Sequence, residues 1–334
     1  GVLRQRFGEA AVLATAGNFN NHIGLPLTLL KLTGAHRYAV IEMGMSHFGE
    51  LAQLTQIARP DVALVNNALR AHVGCGFDGV GDIAKAKSEI YQGLNADGLA
   101  LIPCEDANAA VFQTASKAFK QHTFGVGQGD IHAENIVLQP LSCAFDLVRG
   151  GERAAVLLPV PGKHNIHNAV AAAALALAAG LRLQEVSDGL QSFANIKGRL
   201  QIKSGIKNAV VLDDTYNANP DSMKAALDVL AALPTPRVFV MGDIGELGED
   251  ESAAMHAEVG AYARDKGIEA AYFVGGFSAA AAEAFGGRGL WFADKDPLIQ
   301  VLLHDLPEQA HVLVKGSRFM KMEEVVQALQ GAEK

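Results

Sequence analysis

The chain has 334 residues, 49% of them hydrophobic and 19% charged, which is enough apolar material for two buried cores and rules out a disordered chain. Thirty-six acidic against 28 basic residues leave a net charge of −8, arguing against non-specific binding to nucleic acid or to an anionic membrane surface. Cys75, Cys104 and Cys143 fall in no metal-ligand pattern and fit a reducing, cytoplasmic compartment, and no long apolar run or charged leader points to export or membrane insertion.

Val2, Leu3 and Phe7 read as the end of an amphipathic helix. Aliphatic runs follow at Ala11–Ala14, Tyr38–Met43, Asp61–Asn66 and Leu99–Ile102, each ahead of a polar or glycine-containing turn and a stretch of helical period. That alternation predicts a parallel sheet covered by helices. Between Gln121 and Pro161 the pattern changes: His132–Leu138, Cys143–Val148 and Ala154–Val160 read as antiparallel strands added to the first domain. A helix over Ile166–Ala179 ends at Gly180, a residue suited to a left-handed C-cap. A second series starts near Leu200, with strands at Ala209–Asp214, Arg237–Met241, Ala271–Val274, Gly289–Phe292 and His311–Val314. Its helices fall at roughly Pro220–Ala232, Glu251–Asp265, Ser278–Ala284, Pro297–Leu303 and Met322–Leu329. The expected architecture is α/β. A mostly parallel central domain with an added antiparallel layer spans residues 1–197, and a doubly wound, Rossmann-like domain spans 198–334.

In open α/β sheets ligands lie beyond the carboxyl ends of strands, so the residues there carry the functional argument. The first strand runs into Thr15–Pro26, where Asn18, Asn20 and Asn21 make a polar loop ahead of Pro26 at an expected helix N1 position. A ligand loop and an ordinary Asn/Gly turn both fit. Glu42, inside an apolar stretch, needs a partner or a cation, and Mg²⁺ or a salt bridge would satisfy it. His72 follows the next strand end, Asn66-Asn67, as a candidate second metal ligand or a surface histidine. Lys87 sits among alanines on a following helix. Facing such a site it would bind phosphate or, when neutral, take up CO₂ as a carbamate; otherwise it is a solvated lysine.

Asn165 and Asn168 lie one turn apart, a spacing that lets two amides read a nucleobase edge, with helix capping as the plain alternative for Asn165. Arg199 after Gly198 suits a phosphate contact or a hinge salt bridge. The strand end Asp213-Asp214-Thr215-Tyr216-Asn217-Ala218-Asn219-Pro220 offers carboxylates for a ribose or cation and Tyr216 for stacking. Asp243 and Glu246 with His256, and Lys315, Ser317 and Arg318, bring both signs of charge to one sheet edge, which matches a zwitterionic substrate.

Taken in this order, the blocks T-A-G-N-F-N-N-H-I-G-L-P (15–26), A-K-A-K-S-E-I (84–90), G-K-H-N-I-H-N (162–168), L-D-D-T-Y-N-A-N-P (212–220), G-D-I-G-E-L-G (242–248) and V-K-G-S-R (314–318) resemble the Mur ligase superfamily along essentially the whole chain. Within it they are most similar to the branch that adds a dipeptide. The resemblance implies an ATP-dependent amide ligase of cell-wall peptidoglycan synthesis, working with Mg²⁺ through an acyl phosphate. Its substrates would be UDP-N-acetylmuramoyl-tripeptide and D-Ala-D-Ala. It implies Glu42, His72 and a carbamylated Lys87 as metal ligands, with Lys87, His72 and Arg199 as catalytic groups. Asn165 and Asn168 would meet adenine, while Arg199, Asp214 and Tyr216 would complete the ATP site. Asn18, Asn20, Asn21, Asn217, Asn219, Asp243, Glu246, His256, Lys315, Ser317 and Arg318 would line the substrate region. A monomer is expected.

The family's Gly-x-x-Gly-Lys-[Ser/Thr] phosphate loop occurs nowhere in the 334 residues, and the family's N-terminal UDP-binding domain is also missing. The chain therefore reads as a fragment that is inactive as a ligase, binds ATP poorly and exposes apolar surface on one side of its central sheet. The competing expectations are a sister Mur ligase, a folylpolyglutamate synthetase-like ligase, or a non-catalytic nucleotide- or peptide-binding module.

Overall fold

The computed structural model describes residues 1–193 and 196–331 and divides into two compact units. The first comprises residues 1–69, 76–159 and 163–194; the second comprises 70–75, 160–162 and 195–334.

In the first unit the chain runs α1 (Val2–Phe7), β1 (Val12–Ala14), α2 (Gly24–Leu29), β2 (Tyr38–Val40), α3 (Glu50–Ala58), β3 (Val62–Leu64), α4 (Val80–Ser88), β4 (Leu99–Pro103), α5 (Ala109–Ala115) and β5 (Lys120–Val126). It continues through β6 (Ile131–Leu138), β7 (Cys143–Arg149), β8 (Glu152–Leu158), α6 (Lys163–Ala178) and α7 (Leu183–Gln191). Strands β1 and β2 pair in parallel as a sheet of their own, and the other six form a second sheet in sequential order from β3 to β8. The expected single parallel series is thus split in two. The antiparallel strands β6 to β8 do not form a separate layer. They extend the second sheet through β5, an unpredicted strand parallel to both β4 and β6.

Alanines at 169, 171, 173, 174 and 176 are buried in α6, so that helix packs closely against the sheet on small side chains. A smaller core joins Leu25 of α2 to Leu51 and Leu54 of α3, with Ile41, Met43 and Met45 against it. Along residues 19–40, Phe19, Ile23, Leu27, Leu30, Leu32 and Val40 are all exposed apolar side chains.

The second unit contains β9 (Gln201–Ser204), β10 (Val210–Asp214), α8 (Pro220–Ala231), β11 (Arg237–Gly242), α9 (Glu249–Asp265), β12 (Ala270–Val274), α10 (Ser278–Phe285), β13 (Gly289–Phe292), α11 (Lys295–Asp305), β14 (His311–Lys315) and α12 (Glu323–Leu329). Its sheet has the order β13-β12-β11-β14-β10-β9, parallel except for β9, an antiparallel edge strand that the sequence pattern did not reveal. Side chains alternate across this sheet as the pleat requires. Leu212, Phe239, Met241, Phe273 and Leu313 enter one core, while Val211, Val238, Val240, Val274, Val312 and Val314 enter the other. The four inner strands, β10, β11, β12 and β14, are buried on both faces under helices, so each is almost continuously apolar until its carboxyl end. Asp214, Gly242 and Lys315 stand there.

Candidate functional site

In the first unit the polar loop after β1 folds back on itself. Asn21 Oδ1 accepts hydrogen bonds from Ile23 N and Gly24 N, so this side chain caps α2. The helix starts at Gly24, two residues before the expected Pro26 start. Asn20 reaches across to the other strand end. Its Nδ2 donates to Glu42 Oε1 at 2.9 Å, and its backbone carbonyl accepts from Gly44 N. A Cβ on Gly44 would lie 3.0 Å from the Asn20 amide, which accounts for glycine there. Glu42 itself is exposed, two residues beyond β2, with its backbone N–H on Thr15 Oγ1. Asn18 is exposed.

Lys87, on the last turn of α4, donates from Nζ to the carbonyl of Asn67 at 2.8 Å. Burial holds its pKa below the usual lysine value, against a smaller upward pull from Asp106. A buried amine with a lowered pKa carries a neutral fraction, the form that reacts with CO₂.

At the start of α6, Asn66 Nδ2 donates to Asn168 Oδ1 at 2.9 Å, and Asn168 Nδ2 reaches Asn165 Oδ1 at 3.4 Å. Asn168 is exposed and Asn165 half-buried. The pairing of Asn66 with this helix was missed from the sequence, where the Asn66-Asn67 pair marked only a strand end.

In the second unit the segment 70–75 belongs to the C-terminal fold by its contacts. Arg70 grips Asp221 and Glu258, His72 Nδ1 lies 3.6 Å from Glu246 Oε2, and the Val73 carbonyl accepts from Gly248 N. His72 has a left-handed backbone, φ 65°. Arg70, Asp221 and Glu258 were not singled out from the sequence. The only signal was an arginine inside the otherwise neutral N-N-A-L-R-A-H run.

Arg199 is exposed and its guanidinium lies 4.4 Å from the centroid of the Tyr216 ring. The turn before it depends on Gly198, whose φ is 73° and whose carbonyl accepts from Tyr216 N. Among the described residues no carboxylate engages Arg199, so the stacked cation is available to an anion. Asp214 accepts from Leu200 N and from Lys315 Nζ at 2.6 Å, and Lys315 also donates to the carbonyl of Asn217.

The cluster expected to hold a zwitterion is largely a buried frame. Asp243 accepts from Phe277 N, Ser278 N and Ser278 Oγ at the start of α10. His256 is fully buried. Its Nδ1 donates to the Ser252 carbonyl at 2.6 Å and its Nε2 accepts from Ile244 N at 2.9 Å, which defines a neutral ring with the proton on Nδ1. Burial lowers its pKa, opposed by the Ser252 carbonyl and by Asp243. Ser317 Oγ accepts from Gly245 N, and Asn219 caps α8 through Ser222 N. Asn217 Oδ1 accepts from Ala218 N. Glu246, Arg318 and Asn217 remain exposed, Arg318 paired with Glu323.

Among the described residues no group of three or more His, Cys, Asp or Glu side chains is placed to hold a metal ion. Mg²⁺ asks for less: it binds through one or two protein carboxylates and keeps waters and phosphate oxygens as its other ligands. Glu42 is a hard carboxylate oriented by Asn20, and it fits that donor chemistry.

Residues 2–176 match the family model for the Mur ligase middle domain, and residues 198–318 match that for the Mur ligase glutamate ligase domain. The UDP-N-acetylmuramoyl-tripeptide–D-alanyl-D-alanine ligase of Escherichia coli K12 is 44% identical over 322 residues, covering 95% of this chain and 71% of that protein. The crystal structure of MurF from Acinetobacter baumannii superposes with a TM-score of 0.91 at 38% identity, covering 99% of this chain and 72% of that one. A MurF ligase from Thermotoga maritima, solved with ADP, shares the fold at a TM-score of 0.87 and 23% identity. No described helix is long and apolar enough to cross a membrane. With both domain models matched in order and relatives this similar over nearly its full length, the chain belongs to the Mur ligase family.

Proposed function

We propose that the chain forms the central and C-terminal domains of a cytoplasmic, monomeric ligase that joins D-Ala-D-Ala to UDP-N-acetylmuramoyl-tripeptide during peptidoglycan synthesis. The observation that carries this reading is the 44% identity to the Escherichia coli enzyme of that name, which runs through 95% of the chain. In the reaction a carboxylate oxygen of the tripeptide attacks the γ-phosphorus of ATP and ADP leaves. The dipeptide amine then attacks the acyl carbon, loses a proton, and the tetrahedral intermediate expels phosphate. Such chemistry needs positioned donors and cations around polyanions and little covalent help from the protein.

The residues suit those tasks. Arg199, stacked on Tyr216 and free of carboxylate partners among the described residues, offers a phosphate a charged fork. Asn165 and Asn168 receive adenine. In the first unit Glu42 and Lys87, the latter as its carbamate, would hold Mg²⁺, which when bound neutralises phosphate charge and orients the transferred group. Glu246 and Arg318 are the exposed charges of the expected dipeptide cluster, while Asp243, His256, Lys315 and Ser317 act behind them by holding the strand-end loops in place. With no Gly-x-x-Gly-Lys-[Ser/Thr] run in its 334 residues, the chain alone does not turn over ATP.

The test is a chimera of this chain with the part of the Escherichia coli relative outside the matched region, supplied with a tripeptide substrate labelled with ¹⁸O in its terminal carboxylate. An acyl phosphate transfers one labelled oxygen to the released phosphate. Amide formation with unlabelled phosphate would exclude that intermediate.

A further inference from the structure

Asn66 stands two residues beyond β3 and is tied to α6 twice. Its carbonyl accepts from His167 Nε2 at 2.8 Å, and its side-chain Nδ2 donates to Asn168 Oδ1 at 2.9 Å. The direction of this second bond follows from burial. Asn66 Oδ1 is buried and accepts from no group among the described residues. Turning the amide over would place its NH₂ group in that spot, and buried N–H donors without acceptors are rarer than under-used carbonyl oxygens. Asn66 is therefore the donor and Asn168 Oδ1 the acceptor.

That bond matters because Asn168 is exposed and presents a carboxamide to whatever approaches α6. A carboxamide reads the Watson–Crick edge of adenine with its two ends, accepting from the 6-amino group and donating to N1. A 6-oxo purine reverses both groups on that edge, with an acceptor oxygen at C6 and a donor N1–H. An amide free to rotate through half a turn would suit either base; a pinned one discriminates. We infer that Asn66 is a positioning residue for base selection: by fixing the orientation of the Asn168 amide it makes the site favour a 6-amino purine over a 6-oxo purine. The inference rests on the reading of Asn168 as a base contact and adds to it the residue that sets its direction.

The experiment measures ATP and ITP binding to the 334-residue chain by ligand-observed NMR titration at millimolar nucleotide. Wild type, Asn168→Ala, Asn66→Asp and Asn66→Ala are compared, with thermal unfolding recorded for each. An aspartate at 66 only accepts, so the Asn168 amide must turn and offer Nδ2 to it. The preference for ATP over ITP is expected to fall by about tenfold or more, the scale of one two-ended amide–base contact. Asn66→Ala leaves the amide held only by its 3.4 Å contact with Asn165 Oδ1 and should weaken the preference by about threefold, a smaller share of the same contact. It decides the question where Asn66→Asp fails to fold. A wild-type chain that binds both nucleotides alike or neither, or an Asn168→Ala chain that keeps the preference, overturns the base contact and this inference with it. A preference abolished by Asn168→Ala yet intact in the folded Asn66 variants overturns this inference alone.

Discussion

Arg70 holds Asp221 with backbone and side chain together: its amide donates to Oδ2 at 3.0 Å while Nη2 donates to Oδ1 at 2.6 Å. The same guanidinium reaches Glu258, which also pairs with Lys224, so one arginine ties the 70–75 segment to the first turn of α8 and the middle of α9.

Replacing Arg70 by alanine should destabilise the second unit by about 1.5–3 kcal/mol, the range for hydrogen bonds to charged groups, because Asp221 loses its cation and Glu258 keeps only Lys224. Arg70→Lys should recover only part of this, since an ammonium lacks the fork that spans two acids. Urea unfolding measures both, and hydrogen exchange at the Gly248 amide, bonded to Val73, reports the release of the segment. Equal midpoints for all three proteins would contradict the account.

Acid should act through the same cluster. The hydrogen bond from Arg70, with help from Lys224, holds the Glu258 carboxyl at about 2, below its usual 4.5. A depressed carboxylate contributes stability that is present above the unfolded value and lost as pH falls through the folded one. The wild-type unfolding midpoint should therefore drop between about pH 4.5 and pH 2, and the drop should be smaller in Glu258→Gln.

His256 adds a second pH dependence at a higher range. Burial keeps the ring neutral, so the unfolded chain binds its proton first, below the ordinary histidine value of about 6.5. Stability from this residue is complete above that value and declines as pH falls towards the lower folded pKa, with a slope of at most about 1.4 kcal/mol per pH unit. NMR of the ring nitrogens should show the Nδ1–H tautomer at neutral pH. A charged imidazolium at pH 7 would contradict the geometry.

Lys315 tests whether the cluster after β14 is frame or contact surface. Its side chain is 4% exposed and paired with Asp214, at 13%. Lys315→Met leaves a shielded carboxylate without its cation and should cost about 3–5 kcal/mol. A loss below about 1 kcal/mol, the size of a surface pair, would mean that the ammonium is not structural.

Lys87 should form a carbamate. The neutral amine adds CO₂ and releases one proton, so the chain in ¹³C-labelled bicarbonate should show a carbamate carbon resonance that disappears in Lys87→Arg. No such resonance at alkaline pH would remove Lys87 from the metal set.

Much of this was legible along the chain. Strand runs such as Arg237–Met241 and helix runs such as Pro220–Ala232 lie within a residue of the observed elements, because a continuous apolar run ahead of a glycine and a proline-headed helix are local signals. The edge strand β9 carries the mixed run Gln-Ile-Lys-Ser and β5 the run Lys-Gln-His-Thr, neither apolar enough to announce a strand. The polar residues behaved differently. Asn21 and Asn219 cap helices, as their position ahead of helix starts allowed, yet Asp243 and His256 are committed to backbone groups in ways no spacing reveals. Arg70 meets Glu258 across 188 positions, a pairing that only the folded sheet creates.

The most direct test of the whole account is phosphate release by the chimera with UDP-N-acetylmuramoyl-tripeptide and ATP, measured with and without D-Ala-D-Ala and alongside the 334-residue chain alone. The account predicts release and pentapeptide product only in the chimera and only when the dipeptide is present. Turnover of ATP by the chain alone, or release from the chimera that ignores the dipeptide, would contradict it.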